Sequence, residues 1–245
     1  RSRVTSKLNE IDDAFNRAIE DLTRFRGFLN ELAEKYNNAN AKAFADAITM
    51  TIEYVKKVRE YWRNCYEELM RGKVIKREKS LVIDSCASIA RSGATITFRG
   101  INGIKIKVPP MISEEVRRQI EIGIMRTDGS IKRKGYHPRM TTAFLWQMLL
   151  WFMIYPGEHY VELRGINLNG RKPVRLVWYL VAQSHKMFEK PQLQLPGQVN
   201  VDDLALAFFA AVLGDGYVRD VSDRAEVILT GTSKEEMGMW EEVLK

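Results

Sequence analysis

Two aspartates recur in matched settings and are candidates for chemistry. Asp128 and Asp215 each precede a glycine, Gly129 and Gly216, and each pair closes an apolar, helix-like stretch and opens a strand-like one. Carboxylates are the hard oxygen donors that divalent cations take, so an aspartate recurring in this setting is a candidate metal ligand. An Asp-Gly pair also ends helices and starts turns with no chemistry attached. His137, His159 and His185 have no zinc-like spacing among themselves or with Cys65 and Cys86. Both cysteines sit in apolar patterns and are expected as buried thiols of a reducing compartment.

Basic residues form the second group. Period two puts Val174, Leu176, Trp178 and Leu180 on one face of a strand, with Arg175, Val177 and Tyr179 on the other. In its expected partner, Val161 and Leu163 turn inward, and Glu162 and Arg164 turn outward. Lys132 and Lys134 share a face of a short basic strand, with Arg139 beyond the Pro138 break; Tyr217 and Arg219 hold the corresponding place further on. Lys132, Lys134 and Lys186 are also candidates for a cation beside the aspartates that would stabilise a transition state. With a net charge of +7 and a pI near 9.3, such a face can reach phosphates and base edges. The same pattern also describes an ordinary solvated face.

The elements that must position these groups can be read from periodicity. Leu8, Ile11, Phe15, Ala18, Leu22, Phe25, Leu29, Leu32 and Tyr36 recur every three or four residues, as do Phe44, Ile48, Thr51, Val55, Val58, Trp62, Cys65 and Leu69. Residues 1–72 are therefore expected as a helical hairpin, a coiled-coil arm that packs or self-associates through 6–70. Alternation over 95–99 and 104–108 around Gly100 and Gly103 predicts a β-hairpin. Ser113, Glu114 and Glu115 start a helix running to about 127. A strongly apolar helix over 143–153, a hairpin over 159–181 and a Pro-containing linker over 186–200 follow. Asp202 caps a helix over 204–213. Two short strands and a Ser233-capped helix end the sequence, which starts without Met and is expected to belong to a longer chain.

The sequence repeats itself. Arg99-Gly100-Ile101-Asn102 recurs as Arg164-Gly165-Ile166-Asn167, and the Asp-Gly pair recurs with the same order of elements around it. The segment 208–216, Phe-Phe-Ala-Ala-Val-Leu-Gly-Asp-Gly, followed by Tyr217-Val218, resembles the LAGLIDADG motif of homing endonucleases. The segment 122–129 resembles a diverged second copy, and the likeness covers roughly 94–245. A fainter resemblance is to the PaRep-type repeat-encoded proteins of hyperthermophilic archaea. The sixth motif position, often acidic in the family, is Leu213 in one copy and Arg126 in the other, which bears on cutting more than on binding.

The resemblance implies an α+β fold: an N-terminal antiparallel αα-hairpin, then a pseudo-twofold pair of LAGLIDADG-like modules with antiparallel sheets. The first module spans 73–200 with its preceding hairpin, and the second spans 201–245 and is incomplete. The two motif helices would pack through Gly123, Ala207, Ala210, Ala211 and Gly214. Asp128 and Asp215 would hold Mg2+ and activate water against a phosphodiester. The sheet residues Lys132, Lys134, Arg139, Arg164, Arg175, Tyr179 and Arg219 would lie on double-stranded DNA. In a circularly permuted arrangement, the 95–108 hairpin would pair with the last two strands. A DNA-binding or RNA-splicing protein without nuclease activity on the same scaffold is the alternative, and a helical interaction protein is the third. No apolar run approaches the ~20 residues of a spanning helix, and no signal-peptide pattern opens the sequence, so an intracellular protein without a membrane partner is expected.

Overall fold

Apolar side chains three and four residues apart wind the first part of the chain into α1 (Leu8–Tyr36) and α2 (Ala39–Met70). The computed structural model describes residues 7–76, 80–83, 86–90, 92–168, 173–191, 201–221, 224–229, 238 and 240–241; for 76, 201–204, 215–221 and 224–229 it describes the main chain alone. Two asparagines make the reversal between the helices. Asn37 takes the left-handed conformation, and the Asn38 side chain caps α2 by accepting the Ala41 N–H at 3.0 Å.

Among the described residues, nine strands form one antiparallel sheet. They are β1 (Val74–Lys76), β2 (Ser80–Ile83), β3 (Ala87–Ala90), β4 (Thr95–Phe98), β5 (Ile104–Val108), β6 (Gly129–Ile131), β7 (Pro138–Thr142), β8 (Gly157–Asn167) and β9 (Arg175–Ala182). Their order is β1-β2-β3-β4-β8-β9-β7-β6, with β5 also on β8. Between them run α3 (Glu114–Arg126) and α4 (Leu145–Ile154). After β9 come α5 (Val201–Asp215) and two strands, β10 (Gly216–Val221) and β11 (Arg224–Leu229), which pair with each other in a sheet of their own. The α+β class and the antiparallel sheets match the sequence expectation.

The hairpin expected over 95–108 does not form. β9 occupies one edge of β8, so β4 and β5 both lie along the other, one after the other. Thr95 is opposite Asn167, and Val108 is opposite Gly157. The chain bulges through 99–103 and continues in the same direction. Side chains satisfy the interrupted ladder, as buried backbone groups require. The Tyr54 hydroxyl accepts the Leu163 N–H at 3.1 Å, and the Gly103 N–H donates to the Tyr160 hydroxyl at 3.1 Å. Burial pushes the Tyr54 hydroxyl up to about 12, so it stays a neutral phenol. Because 95–108 pairs with β8 and not with β10–β11, the circular permutation is overturned.

The core lies between the helices and one face of the sheet. Phe15, Leu22, Phe44, Val55, Trp62, Phe98, Ile106, Phe152, Val161, Leu163, Leu176 and Trp178 belong to a single buried cluster. Phe44 meets Phe152 edge-on, and Trp62 packs beside Phe98. The helical hairpin therefore forms the back of the sheet, the packing role of the two expected for it. Most of the two stripes expected to serve self-association is buried, the helices against each other and against the sheet, while Tyr36 at the end of α1 stays exposed.

Cys65 and Cys86 are joined in a disulfide, with Cα atoms 5.8 Å apart, which corrects the expectation of buried thiols. Helical periodicity puts Cys65 on the buried face of α2. The meander β2–β3 brings Cys86 beneath it, a juxtaposition that spacing along the chain does not reveal. Among the described residues, no helix is long and apolar enough to cross a membrane.

Candidate helix-pair site and nucleic-acid interface

Serine and two acids start α3 as expected. The Ser113 hydroxyl oxygen accepts the Val116 N–H at 3.4 Å, and Glu114 and Glu115 fill the first turn. α3 and α5 run in the same direction in close contact, and the contact is made of small residues. A methyl group on Gly123 would overlap the Ala207 carbonyl and sit 2.7 Å from both the Ala210 Cβ and the Ala211 nitrogen. Further along, a methyl on Gly214 would overlap the Thr127 side chain and lie 3.4 Å from Asp128 Oδ2. Main chain thus meets main chain, as glycine at a close approach allows. Ile122, Ala207, Ala211 and Trp240 form a separate small core here, with Phe208 edge-on to Trp240.

The two helix ends carrying the Asp-Gly pairs are consequently neighbours. The Thr127 hydroxyl turns back onto its own helix, donating to the Gly123 carbonyl at 3.1 Å. Asp128 is half-buried, and its Oδ2 accepts from Gln147 Nε2 at 2.5 Å. Gln147 is buried on α4, and its Oε1 accepts from the buried Thr142 hydroxyl on β7. That relay fixes the carboxylate's orientation. Asp215 is the last residue of α5, and its side chain lies outside the described residues. Asp128 brings an oriented, hard oxygen donor to the junction, of the type Mg2+ takes. Among the described residues, no three His, Cys, Asp or Glu side chains gather as a metal cage.

The face of the sheet opposite the helices carries Lys105, Lys107, Glu158, Tyr160, Glu162, Arg164, Tyr179, Arg139 and Thr141. Register sets them in rows: Lys105 beside Tyr160, Val181 and Arg139; Lys107 beside Glu158; Glu162 beside Tyr179 and Thr141. Lys105, Lys107 and Arg164 are exposed, and cations outnumber carboxylates. Arg164 sits at a bulge where Leu163 pairs with Trp178 but Gly165 pairs with Val177. Its guanidinium lies 3.3 Å from the Tyr179 ring centroid, while its Nε is 3.3 Å from Glu162 Oε2. Bulges commonly re-aim a side chain in this way. Tyr179 is therefore buried beneath the arginine rather than open to a partner.

Arg139 apart, the other expected contact residues are scattered. Arg139 is half-buried on β7, its Nε donating to the Ser130 hydroxyl at 3.1 Å. Lys132 follows β6, its N–H donating to the His137 carbonyl. Lys134 does not share a strand face with it. The chain turns at 133–135, with Gly135 at φ 88° and Tyr136 at φ 53°, leaving Lys134 exposed on the turn. Arg175 faces away from the open sheet centre, its guanidinium 4.4 Å from the Phe144 ring centroid. Lys186 is exposed beyond β9. Tyr217 and Arg219 lie on β10 opposite Ile228 and Glu226, their side chains outside the described residues.

Lys105, Lys107 and Tyr160 were not singled out from the sequence. The alternation Ile104-Lys105-Ile106-Lys107-Val108 carried the signal, since Ile106 and Val108 are buried and both lysines exposed. Comparisons with protein-family models, with curated proteins and with solved structures each find no match to this chain.

Proposed function

We propose that this chain binds double-stranded DNA on the open face of its nine-stranded sheet, in the manner of a homing-endonuclease-like protein. The observation that carries the reading is the α3–α5 contact. Two helices resembling the LAGLIDADG motif meet through Gly123, Ala207, Ala210 and Ala211, and Thr127–Asp128 lies against Gly214 beside the second Asp-Gly pair. The run from α3 through β9 follows the helix, two strands, helix, two strands order of that family. The open face offers Lys105, Lys107, Arg139 and Arg164, cations suited to phosphates. Burial of most of both helical stripes favours a packing role for the helices over the reading as a helical interaction protein.

Metal-dependent phosphodiester cleavage is the second reading, favoured by the closeness of Gly214 to Asp128. Asp128 and Asp215 would hold Mg2+, which would supply an activated water and polarise the phosphate. Asp128 enters that role pre-oriented by Gln147. A DNA-binding or RNA-splicing protein without cleavage keeps the same surface and dispenses with the metal.

Fluorescence anisotropy with a labelled duplex across rising salt tests binding. The expected affinity falls steeply, with a log–log slope of about −3.6 if four cations meet phosphates. No retention at low salt would sink the proposal. Nicking of supercoiled plasmid with Mg2+, abolished in Asp128→Asn, separates cutting from binding alone.

A further inference from the structure

We propose that the cleft between α1, the start of α4 and the start of β9 binds a small organic anion with a flat apolar body. The cleft is open to solvent and has a volume of about 380 Å³, within the range of small-ligand sites. Its walls are aromatic and aliphatic, including Phe144, Trp146, Leu149 and Trp178. Phe144 and Trp146 are 41% and 40% exposed, and their rings lie 6.1 Å apart. Large aromatics at the start of an otherwise core-facing helix leave a surface that a flat ligand would cover.

The charge at the mouth selects an anion. Arg17 reaches in from α1 with Nη2 donating to the Val174 carbonyl at 3.2 Å. Arg175 reaches in from β9 and lies over Phe144. Both arginines line the cleft, and among the described residues Asp21 is the one carboxylate with them, itself 3.6 Å from Arg24. Planar guanidiniums match carboxylate, sulfonate and phosphate oxygens alike. Stacking on Phe144 and the Val174 carbonyl hold both arginines in place before any ligand arrives, which lowers the entropy cost of binding. This site is separate from the open sheet face and does not depend on the DNA-binding reading.

Isothermal titration calorimetry with 1-naphthalenesulfonate on the full chain tests the proposal, with quenching of tryptophan fluorescence as a second readout. Saturable one-to-one binding is expected, with 1-naphthalenemethanol at least tenfold weaker. Arg175→Gln and Arg17→Gln should each weaken binding about tenfold, one hydrogen-bonded charge being worth about that much. Trp146→Ala, which removes one aromatic wall, should weaken binding and reduce the quenching, and thermal unfolding checks that the fold is kept. 1-Naphthoate and 1-naphthyl phosphate both bind if the proposal holds, and their ranking names the preferred head group. Non-saturable binding, equal affinity for the neutral alcohol, indifference to both arginine variants, or displacement by duplex DNA would each overturn it.

Discussion

Replacing Gly123 with alanine adds one methyl group where α3 and α5 touch. That methyl would lie 2.7 Å from the Ala210 Cβ and the Ala211 nitrogen, and nearer still to the Ala207 carbonyl. Ordinary carbon contacts are about 3.5–4.0 Å, so the helices must part by roughly 1 Å. Two of the three obstructing atoms are main chain and cannot rotate away. Overpacking of this kind costs about 1–3 kcal/mol, here at the upper end. Alanine's better helix propensity returns about 1 kcal/mol, leaving a net loss of about 2 kcal/mol. In a chain of this size, that is a fall of about 4–8 °C in Tm. Gly27 supplies the control, because nothing lies within 4 Å of a methyl added there, midway along α1. Gly27→Ala should raise Tm by about 2–4 °C. Scanning calorimetry of both variants reads the contrast. A Gly123→Ala protein that gains stability as Gly27→Ala does would show that α3 and α5 are not in main-chain contact.

Reducing the Cys65–Cys86 disulfide opens a 21-residue separation and should cost about 3 kcal/mol of stability; an unchanged Tm under reductant would mean the cysteines are thiols. Gln147→Leu deletes the donor to Asp128 and the acceptor for Thr142, so stability should fall by about 2–3 kcal/mol, judged by urea unfolding. An unaltered midpoint would rule out the relay. Burial holds the His159 imidazole down, to about 4, while its Nε2 donates to the Tyr155 carbonyl at 2.5 Å. The unfolded chain therefore binds a proton near pH 6.5 that the folded one refuses until about pH 4. The stability this neutral histidine contributes is complete at pH 7 and is lost as pH falls from about 6.5 to 4, by about 3 kcal/mol. His159→Gln should remove that slope, and an identical pH profile for both proteins would contradict it.

The parts of the fold set by local periodicity were legible in the sequence. The stripes of α1 and α2, the Ser113 cap and the inward set Val174, Leu176, Trp178 and Leu180 all follow from spacing that a helix or strand imposes on its own residues. What depended on distant partners was not. The turn signal of Gly100 and Gly103 suits a hairpin, yet pairing with β8 made it a bulge in a continuing course. β1, β2 and β3 have three or four residues each, too short to show alternation, so the meander carrying Cys86 went unrecognised. Gly135 turned Lys134 off the strand, and the bulge at Arg164 laid that arginine over Tyr179. Asp128 was found by its motif, but Gln147, nineteen residues on, was found only through packing. Lys105 and Lys107 were visible as alternating residues, but their place beside Tyr160 and Arg139 required the strand order.

Lysine acetylation footprinting, read by mass spectrometry with and without a saturating duplex, tests the central claim most directly. Lys105 and Lys107 on the open sheet face are exposed, as are Lys56 and Lys57 on the outer side of α2. DNA seated on the sheet should sharply lower the reactivity of Lys105 and Lys107 while leaving Lys56 and Lys57 unchanged. Protection of the α2 lysines with Lys105 and Lys107 still reactive would place the nucleic acid on the wrong side of the molecule and contradict the account.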